Sequence, residues 1–453
     1  MDRAKSSIVN PLTLGMVLVV LGWLSGNSAL LYAQTKGTNA VVSGTGSPQS
    51  SYAFVDVTPY GTDICAAITG AFTDYNSLNK IVVDARGLSG SALSCTTSDP
   101  NPWSTSPRPE RTIVLLPPGT ITIYNTWILG SDTKLIGEGP NLTVIESASG
   151  SSFSGSDIID MGSQGTTSNP SLYCPQDPTT MLWLCNGIVI EHLAVEDGSS
   201  LGLNGIVNEF SEELSALNDV AIVTKSGTGL LLGKYTSTSG FADANNSGPY
   251  SNIYFSGSGP CVDIVGLNET RGIHGLHCDS SGTSGAVVYL DGTNNSIEDA
   301  YISGGSGQDG ILIGSQDPAQ ANVILNVTGS GLGNVVHIYN SSVNVADLTL
   351  MGITRLTGTN TIKDELTSSA STPLTDMNVG MYLVGEAVPG GGGYSRFTTS
   401  TSAKFPTWVI GSNAPSGTCA TGSLFSCTSS SGSCSTVSKT LWGCAGSSWT
   451  GIK

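Results

Sequence analysis

Charged residues are scarce in this sequence, and those of positive sign are the scarcest. Only 11% of its 453 residues are Asp, Glu, Lys or Arg, and 17 basic residues stand against 34 acidic ones. The net charge of −17 repels nucleic acid, which proteins bind through cationic contacts to phosphate. The few charges, with 58 glycines and 39% hydrophobic residues, exclude a disordered chain and a helical bundle. They are typical of many short strands separated by turns.

Long apolar runs are also rare. The clearest is "LTLGMVLVVLGWL" (12–24), which follows Arg3 and Lys5 and precedes small residues up to Ala33. This pattern predicts a signal peptide over 1–33, with an uncleaved membrane anchor as the alternative. No later run reaches the roughly 20 residues of a membrane span, so we expect no transmembrane span in the mature chain. We predict a protein that is secreted, periplasmic or displayed on the cell surface.

Metal-binding patterns are missing as well. No CxxC pair or Cys/His spacing indicates zinc, and no dense Asp cluster indicates calcium, so we predict no metal and no cofactor. The ten cysteines are even in number, which favours disulfides in an oxidising compartment. They fall into local groups, although sequence alone does not fix their pairing: Cys65 and Cys95; Cys174 and Cys185; Cys261 and Cys278; Cys419, Cys427, Cys434 and Cys444.

One short pattern returns at an interval of 24 residues. It reads "IHGLHCD" at 273–279, "IEDAYIS" at 297–303, "ANVILNV" at 321–327 and "VADLTLM" at 345–351. Apolar and polar residues alternate within each copy, which is the period of a strand with one buried face. So short a repeat leaves no room for βαβ crossovers, and a β-sandwich does not keep one interval. The repeat therefore predicts a coil of parallel strands, a β-helix with rungs of about 24 residues.

Strict alternation assigns a direction to each side chain of these strands. The inward residues on this basis include His274, Glu298 and Asn326. The outward residues form two columns that run from rung to rung. The first column is Ala194, Ala221, Tyr254, His277, Tyr301, Leu325 and Thr349. The second is His192, Asp219, Asn252, Gly275, Asp299, Val323 and Asp347.

The remaining chain divides by composition. A Gly/Ser/Thr-rich leader spans 34–51, the β-helix 52–388, a linker 389–404 and a small Cys-rich β-module 405–453. Within the β-helix, the stretch 62–75 has the apolar spacing of one amphipathic helix, with Thr62 or Asp63 as N-cap. We expect this helix to cover the open N-terminal end of the coil.

Three segments carry a resemblance to a known family. They are "VDVTPYGTDICAAITGAF", "TIVLLPPGTITI" and "TKLIGEGPNLTVI". Together they resemble the opening of pectin-lyase-like right-handed parallel β-helix proteins, with the pectate lyase, rhamnogalacturonase and epimerase-like family as the nearest group. The resemblance covers about residues 52–360 and implies a right-handed coil and action on polysaccharide. The chain departs from the family's acidic run before the helix, having "YGTD" there, and none of the family's catalytic patterns is carried over.

The outward columns supply the candidate site residues. Tyr254, His277 and Tyr301 fall on successive rungs, and aromatic faces beside polar groups suit a sugar ring. We predict Tyr254, Tyr301, Asn252 and Arg271 as substrate-binding residues. The alternative is that these side chains only stabilise the sheet as a ladder.

Catalysis has weaker support from the sequence. The candidates are Asp299, Asp279 and His277, but the two aspartates lie roughly 14 Å apart in the predicted register, beyond the spacing of a glycosidase pair. The prediction is an exported β-helix that binds and processes polysaccharide or cell-surface glycan, as a hydrolase or a lyase or epimerase-like enzyme. The alternative is a non-catalytic, adhesin-like surface protein.

Overall fold

The computed structural model describes most of the region 53–365 and parts of the C-terminal region. The described ranges are 53–98, 101–163, 173–174, 185–199, 201–233, 246–266, 269–315, 319–339, 345–346, 348–365, 382–386, 395–396, 408–411, 424–427, 441–445 and 448–452. The predicted signal peptide and leader lie outside these residues. No helix of the described part is long and apolar enough to cross a membrane.

The single α-helix of the described residues, α1, spans Ile64–Asp74. Asp63 is its N-cap, because its carboxylate accepts a hydrogen bond from the Ala66 amide at 3.0 Å. Its apolar face, which includes Ile68 and Phe72, is fully buried with the core of the first rungs. Short 3₁₀ turns lie at Gly90–Leu93, Pro102–Ser104 and Gly150–Ser152.

Strands make up the rest of the regular structure and are numbered here in chain order. The first eight are β1 Ala53–Asp56, β2 Lys80–Asp84, β3 Arg111–Leu115, β4 Gly119–Ile123, β5 Asn125–Ile128, β6 Thr133–Ile136, β7 Thr143–Ser147 and β8 Ser154–Asp160. The next ten are β9 Val189–Glu196, β10 Asn204–Asn208, β11 Ala216–Val223, β12 Leu230–Leu232, β13 Asn246–Ser247, β14 Tyr250–Gly257, β15 Val262–Ile264, β16 Glu269–Thr270, β17 Ile273–Ser280 and β18 Gly285–Leu290.

The later strands follow the same succession. They are β19 Gly292–Thr293, β20 Ser296–Ser303, β21 Gln308–Ile313, β22 Ala319–Gln320, β23 Val323–Ser330, β24 Leu332–Ile338, β25 Val345–Ala346, β26 Thr349–Arg355 and β27 Gly358–Asp364. The last six are β28 Tyr382–Glu386, β29 Ser395–Arg396, β30 Trp408–Gly411, β31 Leu424–Cys427, β32 Leu441–Ala445 and β33 Ser448–Gly451.

Successive strands do not pair with each other but with strands one turn away. The first sheet runs β1-β2-β3-β6-β9-β11-β14-β17-β20-β23-β26-β28-β29; in addition, β7 pairs with β9, and β4 pairs with β7. The second sheet runs β5-β8-β10-β12-β15-β18-β21-β24-β27, and short strands form a third side. Pairing within the coil is parallel from β1 through β28. The chain is thus a right-handed parallel β-helix, as the sequence predicts.

The rungs are close to the predicted length, but they are not equal. From Ile273 to its partner Ile297 the chain advances 24 residues; from Ile297 to Ile324 it advances 27, and from Ile324 to Leu350 it advances 26. The prediction of one fixed interval over four repeats is therefore wrong beyond its first step. The extra residues fall in the turns, where added length does not disturb the strand pairing.

Each long strand of the first sheet contains one residue in the left-handed backbone conformation. These residues, called the left-handed column here, are His192 (φ 56), Asp219 (φ 55), Asn252 (φ 54), Gly275 (φ 67), Asp299 (φ 56), Asn326 (φ 53) and Gly352 (φ 71). Gly, Asn and Asp adopt this conformation most readily. On β17, the two residues before Leu276 both face outward, so the alternation shifts by one position.

The left-handed column and the unequal rung lengths together correct several sequence-based directions. His274 and Glu298 were expected inside, yet both are partly exposed and lie 3.4 Å apart on the outer face. Asn326 is exposed rather than inward. The partner of Tyr301 on the next rung is Thr328, not Leu325, and Thr354 follows it in place of Thr349. Beyond Asp299, the second column continues with Asn326 and Gly352 instead of Val323 and Asp347.

The core is an apolar stack that runs inside the coil. Val195, Ile222, Phe255, Cys278 and Ile302 occupy one inward position on successive rungs and are fully buried. Each Val, Ile or Phe of this stack contributes about 1.5–3 kcal/mol through burial. The stack therefore holds the rungs in register.

Disulfides join the predicted neighbour groups. The bridges are Cys65–Cys95, Cys174–Cys185 and Cys261–Cys278. The third joins the residue before β15 of the second sheet to β17 of the first. In the tail, β30 to β33 form a four-stranded sheet in which Cys444 is disulfide-bonded.

The left-handed column leads to a prediction about stability. Asn326→Ala and Asn326→Gly both remove the hydrogen bond to Asp299, so they differ mainly in backbone strain. We expect the Ala variant to be less stable by about 1–2 kcal/mol, because a Cβ is unfavourable at positive φ. The measurement is the urea midpoint of each variant.

Thr328, two residues further on, provides the control, because it lies in a regular extended stretch. There the order of stability should reverse, so that Thr328→Gly is less stable than Thr328→Ala. Equal midpoints for the two Asn326 variants would show that the left-handed conformation carries no strain there.

Candidate functional site

Three aromatic side chains stack on the outer face of the first sheet. Register places His277 opposite Tyr254 on one side and Tyr301 on the other. The ring centroids are 5.2 Å apart for Tyr254–His277 and 4.9 Å apart for His277–Tyr301, with both interplanar angles at 51°. Tyr254 is 41% exposed. These residues, the aromatic stripe, offer a continuous apolar surface to solvent.

Asp279 holds one edge of the aromatic stripe. Its Oδ2 lies 3.2 Å from His277 Nε2 and accepts a hydrogen bond from the Tyr254 hydroxyl at 3.4 Å. Its Oδ1 accepts from the Ser303 hydroxyl at 2.7 Å. Both carboxylate oxygens are therefore occupied by protein groups. This arrangement suits a residue that positions the rings.

The left-handed column runs along the other edge of the stripe. Asn252, Gly275 and Asp299 lie two residues before Tyr254, His277 and Tyr301 respectively, which follows from their chain positions on β14, β17 and β20. The Asn252 amide donates to Asn218 Oδ1 at 3.3 Å, and Asp299 Oδ1 accepts from the Asn326 amide at 3.1 Å. Polar groups thus border the stripe on both sides.

The separation of the two candidate aspartates agrees with the predicted register, whereas Arg271 lies apart from the stripe. Asp279 lies opposite Ser303, four positions beyond Asp299, so the two aspartates are on the order of 14 Å apart along and across the strands. Arg271 lies six residues before His277, with its guanidinium 3.9 Å from a Glu213 oxygen. The aspartates do not form a pair, and Arg271 is not beside the stripe.

A pair of glutamates that the sequence did not single out lies on the same face. Glu146 of β7 is directly opposite Glu196 of β9, so the two carboxylates face outward from neighbouring strands. Partial burial, and then the negative charge of Glu146, raise the pKa of Glu196 above its usual range. We call these two residues the glutamate pair.

The glutamate pair is continuous with the stripe. The outward position of Glu196 continues through Val223 and Ser256 to Asp279. The outward position of Tyr254 continues through Ala221 to Ala194. The pair and the stripe therefore share one face, with small alanine side chains between them. Glu146 and Glu196 are 50 residues apart, so the 24-residue repeat does not align them on neighbouring strands. The sequence predicts only that each faces outward from its own strand.

A second ionisable cluster lies on the second sheet. His337 Nδ1 lies 2.6 Å from Asp309 Oδ2, and its Nε2 lies 3.1 Å from Glu365 Oε1. Lys363 Nζ lies 2.6 Å from the same Glu365 oxygen. Only 7% of the His337 side chain is exposed. On the same sheet, three rungs before His337, burial raises the pKa of Asp263 to about 6.

Comparison with known proteins finds similarity among solved structures only, at low sequence identity. No protein-family model and no curated protein matches the sequence. Among solved structures, the chain is similar to the ORF18 protein of Geobacillus virus E2, at 13% identity and a TM-score of 0.43, covering 76% of this chain and 63% of that one. The chain thus spans less than two thirds of the viral protein.

Two enzymes are also similar in structure. The A-module of mannuronan C-5 epimerase AlgE4 from Azotobacter vinelandii has 12% identity and a TM-score of 0.36, with 74% of this chain and 94% of that chain covered. Pectin methylesterase PemA from Erwinia chrysanthemi has 12% identity and a TM-score of 0.36, with 55% and 79% covered. The described residues define the class as a right-handed parallel β-helix, which follows from their own strand pairing, and the similarity to these proteins extends to fold alone.

The His337 cluster leads to a pH prediction. Burial lowers the pKa of His337, and the nearby positive charge of Lys363 lowers it further. The hydrogen bond and charge of Asp309, together with the hydrogen bond to Glu365, raise the pKa by more, so the net shift is upward. A raised folded-state pKa stabilises the protein below the unfolded-state value of about 6.5, and this stabilisation is lost as pH rises through the folded-state pKa.

We therefore expect the urea midpoint to fall as pH rises across this range, and His337→Asn to reduce that fall. Asp309→Asn should reduce it as well, because it removes the main group that raises the pKa. Midpoints measured between about pH 5 and pH 8 check this. An unchanged slope in both variants would contradict it.

Proposed function

We propose that the outer face of the first sheet binds a polysaccharide. The observation that carries the proposal is the exposed stack of Tyr254, His277 and Tyr301 across three rungs. Sugar rings have apolar C–H faces that pack on aromatic rings, and their hydroxyl edges need hydrogen-bonding partners. Asn252 and Asp299 are available for those edges. A column perpendicular to the strands matches a linear polymer that crosses several rungs.

The charge of this face restricts which polymers it can bind. The strands β9, β11, β14, β17, β20 and β23 contain no Lys or Arg. A uronate polymer would meet uncompensated carboxylates on this face, and like charges repel at such distances. The arrangement therefore favours a glycan without acidic groups over pectate or alginate.

The glutamate pair favours a second candidate function, hydrolysis of the bound glycan. Neighbouring strands lie about 4.8 Å apart, and retaining glycosidases hold their two carboxyl groups about 5–5.5 Å apart. Glu196, whose pKa is raised, would donate a proton to the glycosidic oxygen. Glu146 would attack the anomeric carbon, and water would then release the sugar and regenerate both groups. A protein that only adheres to glycan is the alternative.

We further propose that the protein works outside the cytosol. The three disulfides support this, because such bonds persist in oxidising compartments. Mass spectrometry of the native protein checks the location through its N-terminus, which we expect near residue 34.

The binding proposal predicts the effect of removing one ring. Tyr301→Ala should weaken glycan binding by about 1–3 kcal/mol, the usual cost of truncating an aromatic anchor. The fold should be retained, because an outward ring leaves no core cavity. Tyr339→Ala is the matched control, since Tyr339 is 39% exposed and lies outside the stripe. Calorimetric titration of a glycan set measures both; equal losses in the two variants would remove the stripe from consideration.

The hydrolysis proposal predicts a separation of binding from turnover. Glu196→Gln should lower the rate of reducing-end release by roughly 10²–10⁴ while leaving affinity nearly unchanged. Glu191→Gln is the control, because Glu191 is on the same strand and also faces outward. If the unaltered protein binds glycan but releases no sugar, the non-catalytic alternative is correct.

A further inference from the structure

The face that carries the aromatic stripe is acidic as well as aromatic. Its six central strands are β9, β11, β14, β17, β20 and β23, and they contain no Lys or Arg. They contribute six carboxylates: Glu191, Glu196, Asp219, Asp279, Glu298 and Asp299. Each histidine on this face lies beside one of these carboxylates, at 2.8, 3.4 and 3.2 Å for His192, His274 and His277. The face therefore carries negative charge that no Lys or Arg on these strands balances.

The left-handed column is open at Gly275, next to the centre of the stripe. A Cβ at this position would lie 3.1 Å from Asn252 Oδ1, so the amide oxygen of Asn252 is directed over the glycine. On the next rung, Asp299 follows. The gap therefore has Gly275 as its floor and the Asn252 amide oxygen beside it, and Asp299 is the next residue of the column.

The donors near this gap are directed away from it. The Asn252 amide nitrogen donates to Asn218, on the preceding rung. The Asn326 amide reaches Asp299 from the following rung. An ionised carboxylate only accepts hydrogen bonds, so a group that enters the gap must donate them. The faces of the neighbouring tyrosines, for their part, attract cations.

We propose that this face selects a glycan that carries free amino groups, such as a polymer of glucosamine, with one ammonium group above Gly275. This inference rests on the proposed glycan-binding function and specifies its substrate class. The ammonium donates to Asn252 and Asp299 and lies beside the rings of the stripe. Charge-assisted hydrogen bonds are about twice as strong as neutral ones. N-acetylation removes the charge and adds bulk above the gap.

The test compares β-1,4-linked tetrasaccharides of glucosamine, N-acetylglucosamine and glucose by calorimetric titration of the full-length protein. We expect the glucosamine tetramer to bind roughly tenfold more tightly than the glucose tetramer. This advantage should shrink when salt is raised, because salt screens partly exposed charges.

Gly275→Asn tests the position of the ammonium group. Asn tolerates the left-handed conformation and matches the other members of the column, so the variant should fold, with a slight shift of the Asn252 side chain. It should abolish the preference for glucosamine. Gly352→Asn, the same change three rungs away in the same column, should leave the preference intact.

The outcomes separate this inference from the function on which it rests. Equal binding of glucose and glucosamine tetramers, with both weakened by Tyr301→Ala, would overturn the inference and leave glycan binding standing. Retained preference in Gly275→Asn would overturn the proposed position. Binding of none of the tetramers would overturn the proposed function itself.

Discussion

One residue in the left-handed conformation on each long strand of the first sheet determines which side chains reach solvent. Without it, strict alternation would put His274 and Glu298 inside the coil; with it, they meet on the surface at 3.4 Å. Asn252 and Asp299 are themselves members of the left-handed column and lie outward beside the aromatic stripe. The polar surroundings of the candidate site therefore include His274 and Glu298, which a sheet of regular strands would bury.

The outer face of the first sheet and the glutamate pair show how a parallel coil brings distant residues together. Glu146 and Glu196 are 50 residues apart in the chain yet occupy neighbouring strands, because two strands that join the first sheet, β6 and β7, both pair with β9. Stacking rungs converts equal positions within strands into columns. Any property repeated at one position, whether aromatic, acidic or small, becomes a linear feature on the surface.

The coil, the first helix, the stripe and the three described neighbour disulfides were predictable from the sequence, with Asp63 as one of two candidates for the N-cap. Each of these depends on local pattern or on a repeat that stays in register from 254 to 301. Asn326 was misplaced because the next rung has 27 residues rather than 24. A preference for Gly, Asn and Asp at one strand position was visible in the residue types, and it signals positive φ. The glutamate pair could not be predicted from the sequence, because its alignment depends on turn lengths that local pattern does not encode.

The Cys261–Cys278 bridge has a mechanical consequence. Cys278 lies between His277 and Asp279, so the covalent tie to the second sheet is attached directly beneath the centre of the stripe. A long polymer held on this face would transmit drag to the rung that binds it. Hydrogen bonds between strands yield one at a time under such tension, whereas a rung closed by a covalent bond cannot be peeled from its neighbour sheet at that point. Anchorage under flow would then be limited by release of the polymer and not by opening of the coil.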